Sequence, residues 1–526
     1  MLETEGSARY PAGMIRRFLI PLAALLLGLS ACTRSGSEAE RGQLSFHLNS
    51  EPVTLDPSRV EDGLGVRVIV NLMDGLMGFN SRGELVKRLA KSLEISPDLK
   101  TYRAEIRPDA VWSDGVPVDG VQIQTGIERA LKPESGSKLA GLLKWIEGAD
   151  AYAQGKATTV TGMKATGKTI EFHLTKPISF FDQILALPIT YPLRKDVLEA
   201  NHGKWDPLRG KNVPTNGAYR IRSSIPDQEI VLEAARPLPD AAPKRVRMLV
   251  VTDESTASTL FDQGKLDVLT RIPAFDQKRY EEKKIVRTVP FQATYFLGFN
   301  LKKKPFNRVE FRRALAGAVK KGELVRMLGT GEEPAASWIP KGYEGWYPFK
   351  ADSEGRDASF AGSKVASREE IRIAFDSGTR NAIALEKVQA DLKEGLGWKV
   401  RLRNLDWKTL VHSIGHDPEM VYRYGWSSML KDPAGFLLAF VSKDPFNFSG
   451  FSSARYDALV EQIVAMRPSP ERETKIFEAE NILLHDEAVV VPLYHYVTTY
   501  AVGPRIRKYE VSPLVGVTLF EEVELQ

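Results

Sequence analysis

The chain has 526 residues, 43% hydrophobic and 9% aromatic, enough apolar material for large packed cores and, on length, roughly three domains of ordinary size. Its 72 basic and 67 acidic side chains leave a net charge of only +5, which excludes the concentrated positive field of a nucleic-acid-binding protein. Cys32 is the single cysteine, so the fold cannot rely on disulfides.

At the N-terminus, Arg16 and Arg17 precede the apolar run Phe18 to Leu29, and Leu29-Ser30-Ala31-Cys32 follows. The run has 12 residues, too few for a helix across a bilayer core of about 30 Å, which needs roughly 20 residues. The segment resembles a bacterial lipoprotein signal, with Met14 as the expected start. That resemblance implies that residues 1–32 are the signal with its anchor, the thiol of Cys32 carrying lipid, and that acyl chains hold the protein at a membrane surface at about 0.8 kcal/mol per buried methylene. Residues 33–42, TRSGSEAERG, are polar and read as a flexible tether.

Beyond the tether, Gln43 to Leu48 alternates as a strand, and Val66, Ile69, Leu72, Met73 and Leu76 predict a helix over 66–77. Tyr102 to Ile106 alternates again, Ser113-Asp114-Gly115 is a turn, and Asp119 with Gln122 approximates a capping box opening a helix to Leu131. Gly162 to Thr169, GMKATGKT, satisfies the phosphate-loop pattern, but that loop needs a buried strand before it and a helix after it. Ile170, Phe172 and Leu174 alternate instead, so a β-turn within a hairpin over 159–175 is expected and not an ATP site.

The basic run Asn300 to Lys321 is interrupted by Phe306, Phe311, Leu315 and Val319, as on a solvated helix face. Lys350 to Glu370 reads as a surface loop, while Ala382 to Gly395 and Arg455 to Met466 read as amphipathic helices. His412 and His416 have i, i+4 spacing, yet Gly415 intervenes and Asp417-Pro418 ends any helix, so no metal site is expected there. No internal repeat of a solenoid or propeller is visible.

The stretch Thr101 to Gly115, with Tyr102, Arg107 and Trp112-Ser113-Asp114-Gly115, resembles the extracytoplasmic oligopeptide-binding proteins of ABC importers, the solute-binding family that also includes dipeptide and nickel types. Further matches follow in order: Leu55-Asp56-Pro57, Leu72 to Leu76, Thr215 to Tyr219, Gly264 to Val268, Phe299-Asn300, Arg312 to Leu315, Gly425-Trp426, Asp432-Pro433 and Pro492 to Tyr494.

The resemblance covers nearly all of residues 43–504. It implies an α/β, two-lobed periplasmic-binding-protein fold of type II-like form, with mixed β-sheets flanked by helices and an extra domain on the first lobe. Lobe I is expected from 43–78, 206–300 and 505–526, its extra domain from 79–205, and lobe II from 301–504. The expected function is capture of an oligopeptide or related small solute in the interlobe cleft and delivery to ABC permease subunits, by a monomer needing no cofactor.

The same resemblance puts Arg423, Gly425, Trp426, Trp407, Tyr494 and Asp74 at ligand-lining positions. A guanidinium at Arg423 suits a carboxylate end. Peptide-binding members carry an aspartate three residues after the tryptophan of the Gly-Trp pair, where this chain has Met429. A free ammonium would then need another anion, such as Asp74 or Asp432, or the ligand has an uncharged end. Metal chelates, sugars and modified peptides therefore stay open as ligands. So does a sensing lipoprotein of the same fold. The chain contains neither G-x-S-x-G nor H-E-x-x-H, and a hydrolase is the weaker alternative.

Overall fold

The computed structural model describes residues 42–208, 213–360, 362–514 and 516–526. The expected signal, Cys32 and the tether to residue 41 lie outside the described residues.

The chain opens with β1 (Gln43–Leu48) and helix α1 (Gly63–Leu72), whose N-cap Asp62 accepts from the amides of Leu64 and Gly65. The helix stops five residues short of the expected Met77. At Met73 the backbone turns extended, and the amide of Gly217 takes the Leu72 carbonyl at 2.9 Å, so a partner remote in sequence outcompetes the helical period.

Strands β2 (Met77–Phe79) and β3 (Leu85–Lys87) pair as a ribbon. A separate antiparallel sheet has the order β4-β5-β7-β6, from Ala90–Ile95, Thr101–Ile106, Thr169–His173 and Met163–Thr166. Helix α2 (Gly120–Leu131) packs against it and begins with a complete capping box, Asp119 with Gln122. The GMKATGKT stretch is the β6–β7 hairpin with Gly167 at φ +54. The Lys168 ammonium donates to the carbonyls of Ala110 and Val118 at 3.3 and 2.7 Å, so it is spent within the protein.

The main sheet among the described residues has eleven strands. Its path is β15-β14-β16-β12-β17-β11-β1-β10-β9-β8, with β13 paired to β17. On one side of the path lie β8 (Tyr219–Ile225), β9 (Glu229–Ala234), β10 (Arg245–Val250) and β11 (Val268–Leu269). On the other lie β14 (Ile371–Asp376), β15 (Val400–Leu405) and β16 (Val421–Ser427), while β13 is the short Glu333–Pro334. Two long strands join the sides, β12 (Val286–Phe299) and β17 (Val490–Val502), antiparallel to one another. Their register shifts between Pro290 and Thr294 and again between Tyr295 and Phe296, the irregularity of β-bulges.

Beyond the first shift β12 is buried on both faces. Tyr295, Leu297 and Phe299 enter one core, while Phe296 enters the other with Trp338, as period-two alternation requires. Helices α3 (Val309–Ala318) and α4 (Thr379–Leu396) cover the first of these cores; α5 (Trp407–His416), α6 (Ala454–Ala465) and α7 (Pro470–Asn481) follow in the chain.

Two expectations are corrected. Arg312 is buried, not on a solvated helix face: its Nε and Nη2 donate to the Glu487 carbonyl at 2.9 and 2.6 Å, and Arg313 donates to the carbonyls of His485 and Asp486. Both arginines thus satisfy orphan carbonyls at a helical end. His412 and His416 share α5 despite Gly415, with ring centroids 4.1 Å apart. Among the described residues no group of three or more His, Cys, Asp or Glu could hold a metal ion, and no helix is long and apolar enough to cross a membrane.

The two sides also meet away from the crossing strands. Ser179 N donates to Val464 O at 2.8 Å and Lys431 N donates to Gln183 Oε1 at 2.7 Å.

Candidate functional site

The stretches that stood out in the sequence meet around Asp74. Asn216 Oδ1 accepts from Asp74 N at 3.2 Å and its Nδ2 donates to Asp74 O at 3.0 Å. Thr215 in turn exchanges hydrogen bonds with Ser113, at 2.7 and 3.1 Å. A side chain at Gly217 would bring Cβ within 2.7 Å of the Leu72 carbonyl carbon, so only glycine permits this approach. Asp56 is fixed by Arg129 through two bonds of 2.7 and 2.6 Å. The motifs therefore brace one another; their residues hold the floor of the site.

Above that floor lies a cavity of about 30 Å³, lined among others by Asp74, Gly75, Arg88, Tyr191, Met429 and Val517. It has room for a water molecule or two. Its charged lining groups, Asp74 and Arg88, are bonded to each other: Arg88 Nε lies 2.7 Å from Asp74 Oδ1, and Arg88 Nη2 lies 2.6 Å from Glu521 Oε1. Burial works against the Arg88 charge, but the two carboxylates outweigh it and hold its pKa above the ordinary value.

A second cluster is built on β16. Arg423 is 8% exposed; its Nη1 lies 2.5 Å from Asp376 Oδ1, and its Nη2 donates to Tyr496 Oη at 3.0 Å. Its guanidinium carbon stands 4.5 Å from the Tyr295 ring centroid, a cation–π contact. Its Nε is buried with no hydrogen-bond partner. Burial again opposes the charge, and Tyr496, Tyr295 and Asp376 reverse the effect, so the pKa is raised.

The candidate residues thus fall into three groups. Asp74 and Met429 line the cavity. Arg423, Gly425 and Tyr494 cluster through Tyr295 and Tyr496: Tyr295 pairs with Gly425 and with Tyr494, and Tyr494, 1% exposed, stacks on Tyr295 at 4.5 Å. A Cβ on Gly425 would stand 2.8 Å from Tyr496 Oη, so glycine keeps that hydroxyl beside Arg423. Trp426 and Trp407 belong to neither. Trp426 donates from Nε1 to Gly435 O at 3.0 Å and packs on Phe446; Trp407, 51% exposed, stacks on Tyr424.

Sequence reading missed Arg88, Glu521, Asp376, Tyr295 and Tyr496. Arg88 and Glu521 are 433 positions apart, and no spacing rule spans such a distance. Asp432, considered as an alternative anion, accepts from Arg472 Nη2 at 2.8 Å on both carboxylate oxygens and from Ala434 N at 2.8 Å. Arg472 is fully buried and also bonded to Glu344.

A mixed main sheet whose two sides are joined by the long strands β12 and β17, with helices packed on it and a second, smaller sheet beside it, defines the two-lobed α/β fold of a solute-binding protein. The chain matches the model for bacterial extracellular solute-binding proteins, family 5, over residues 84–448. It belongs to that family. It is 26% identical over 509 residues to the oligopeptide-binding protein OppA of Bacillus subtilis, covering 92% of this chain and 93% of that one. It is 28% identical over 474 residues to the probable deoxycholate-binding periplasmic protein YgiS of Escherichia coli, covering 86% and 87%. The structure of the Escherichia coli murein tripeptide-binding protein MppA matches with a TM-score of 0.77 at 25% identity, over 92% of this chain and 98% of that one.

Proposed function

We propose that this chain is the lipid-anchored binding component of an ABC importer, capturing oligopeptides or a related small solute between its lobes outside the cytoplasm and delivering it unaltered to permease subunits. The single observation carrying this reading is the break in the β12–β17 register between Pro290 and Thr294, at the only pair of long strands that crosses the described sheet from side to side. In this reading the irregular pairing of the two connecting strands is where one lobe rotates against the other as a rigid body. Closure then excludes water and strengthens each polar contact to the solute.

In this reading lobe I comprises 43–78, 206–300 and 505–526, with 79–205 as its extra domain, and lobe II comprises 301–504. Arg423, Gly425, Asp74 and Met429 face the solute, Trp426 and Trp407 flank it, and Tyr494 acts through Tyr295. Lipid on Cys32 keeps the receptor near the permease. Oligopeptide-binding relatives over more than nine-tenths of the chain support the peptide class.

A second reading, a non-peptide amphiphile held for import or sensing, is favoured by the apolar side chains of Val66, Val70, Met429, Val517 and Leu519 on the cavity wall. Native mass spectrometry of protein purified from its host distinguishes the two. Released di- to pentapeptides are expected; a single non-peptide mass overturns the peptide class. Small-angle scattering with and without the released solute tests the hinge, and an unchanged radius of gyration at saturation counts against closure.

A further inference from the structure

We infer that residues 179–183 form a latch holding the extra domain against lobe II, and that Asp182, seated within it, releases the latch when it ionises. This rests on the two-lobed reading above and adds a device that regulates its closure.

Away from the crossing strands, residues 79–205 meet residues 301–504 around one turn. Ser179 N donates to Val464 O, in the last turn of α6, at 2.8 Å, and Gln183 Oε1 accepts from Lys431 N at 2.7 Å. Lys176 pairs with Glu461 at 3.3 Å, and Arg467 Nη2 reaches Ser96 O at 3.4 Å. The turn is anchored firmly on its own side. Phe180 and Phe181 are fully buried, Phe181 packs edge-on against Tyr102 and Phe172, and Tyr102 Oη donates to Ile178 O. It cannot follow lobe II outward without breaking that packing, so opening has to break the bonds to Val464 and Lys431 instead.

Between those two bonds stands Asp182, half-buried in the short helical turn Phe181–Ile184. Its Oδ1 accepts from the Gln183 amide at 2.9 Å, and among the described residues it forms no ion pair. The titratable groups around it are Tyr102 on β5 and, from lobe II, Asp432 and Arg467. Asp432 has both oxygens engaged by the buried Arg472, which also holds Glu344. Arg467 and Lys431 are exposed, and Lys176 is taken by Glu461. An ionised Asp182 therefore faces a second carboxylate with no cation in contact.

Burial, reinforced by Asp432 and opposed by the Gln183 amide and Arg467, raises the Asp182 carboxyl from 3.8 to about 6. Opening returns the group to water and to its ordinary value. The closed form thus gains stability from the proton, complete below 3.8 and lost progressively as pH rises to about 6. From pH 5 to pH 7.5 the closing equilibrium is expected to weaken about tenfold.

Hydrogen–deuterium exchange of the whole solute-free chain at these two pH values, corrected for the intrinsic rate of each amide, tests the latch. The amides of Ser179 and Lys431 should be about tenfold better protected at pH 5, while those of Tyr102 and Ala104 inside the extra domain stay unchanged. In Asp182→Asn, which mimics the protonated side chain, protection at pH 7.5 should match that at pH 5. Equal protection of the parent at both pH values, the same tenfold ratio in Asp182→Asn, or a parallel change at Tyr102 and Ala104 overturns the inference.

Retention of a mixed-sequence tetrapeptide library after rapid desalting separates this from the reading it rests on. The parent should retain about tenfold more at pH 5 than at pH 7.5, and Asp182→Asn should retain alike at both. Strong retention by the parent that is equal at both pH values overturns the latch and leaves peptide binding intact. Retention at neither pH value defeats peptide binding, and the exchange measurement then decides the latch by itself.

Discussion

The side chain of Asn216 clamps the main chain of Asp74, accepting from its amide at 3.2 Å and donating to its carbonyl at 3.0 Å across 142 positions of sequence. Both residues are buried, so neither backbone group has water to fall back on. Asn216→Ala is expected to cost about 2 kcal/mol of stability, the scale for leaving buried polar groups unpaired. It should also weaken solute binding, because the Asp74 loop forms the cavity wall. Urea denaturation and titration with the released solute measure the two effects; unchanged values in both would show that the clamp is dispensable.

Asp376 neutralises Arg423 in a setting where both side chains are largely buried, with 15% and 10% of side-chain surface exposed. Removing one partner leaves the other charge uncompensated, so Asp376→Asn is expected to destabilise by about 3 kcal/mol. Arg423→Met combined with Asp376→Leu should recover most of that loss, since the pair disappears together. A double-mutant cycle reads the coupling directly, and independent, additive effects would contradict the pairing.

Glu480 predicts a loss of stability as pH rises toward neutrality and just beyond. Its Oε1 accepts from the amides of Trp338 and Ile339 at 2.8 and 2.9 Å, while its Oε2 is buried without a partner. Burial, partly offset by those two amides, pushes the carboxyl up to about 8. A carboxyl raised in the folded state contributes stability that is complete below its unfolded value near 4.5 and is lost as pH climbs through about 8. The melting temperature should therefore fall between pH 5 and pH 8, and Glu480→Gln should flatten that fall. Parallel slopes for the two proteins would exclude Glu480 as its source.

His495 sets an acid limb. Its Nδ1 lies 3.0 Å from Thr294 Oγ1 beside the register break, and burial lowers its pKa from 6.5 to about 3. The native state keeps the ring neutral while the unfolded state protonates it, so stability is lost as pH drops below about 6.5. His495→Gln should lose less melting temperature between pH 7 and pH 4.5 than the parent. An equal loss would assign the acid limb to carboxylates alone.

Much of the local structure was legible in the residues. The capping box of Asp119 and Gln122, the hairpin that disqualifies GMKATGKT as a phosphate loop, and the helices near 382–395 and 455–466 all appear within a few residues of expectation. Each depends on contacts among near neighbours, which alternation and capping chemistry encode directly. His412 and His416 show the limit of such rules: a glycine costs a helix only about 1 kcal/mol, and α5 runs through Gly415 to His416 regardless.

What the sequence determined by itself was the family, the mixture of strand and helix, and the positions at which to look. The ordered motifs carry that information because Asp56, Ser113, Asn216 and Gly217 each brace a junction that tolerates few substitutes. Which charges are free was decided by tertiary structure alone. Asp74, Arg423 and Asp432 read as available anchors in the chain, yet each meets a counter-ion supplied from 14, 47 or 40 positions away. The cost of leaving a charge unpaired falls due only when folding removes water from it, so a side chain's commitment follows from its neighbours in space and not from its neighbours in sequence.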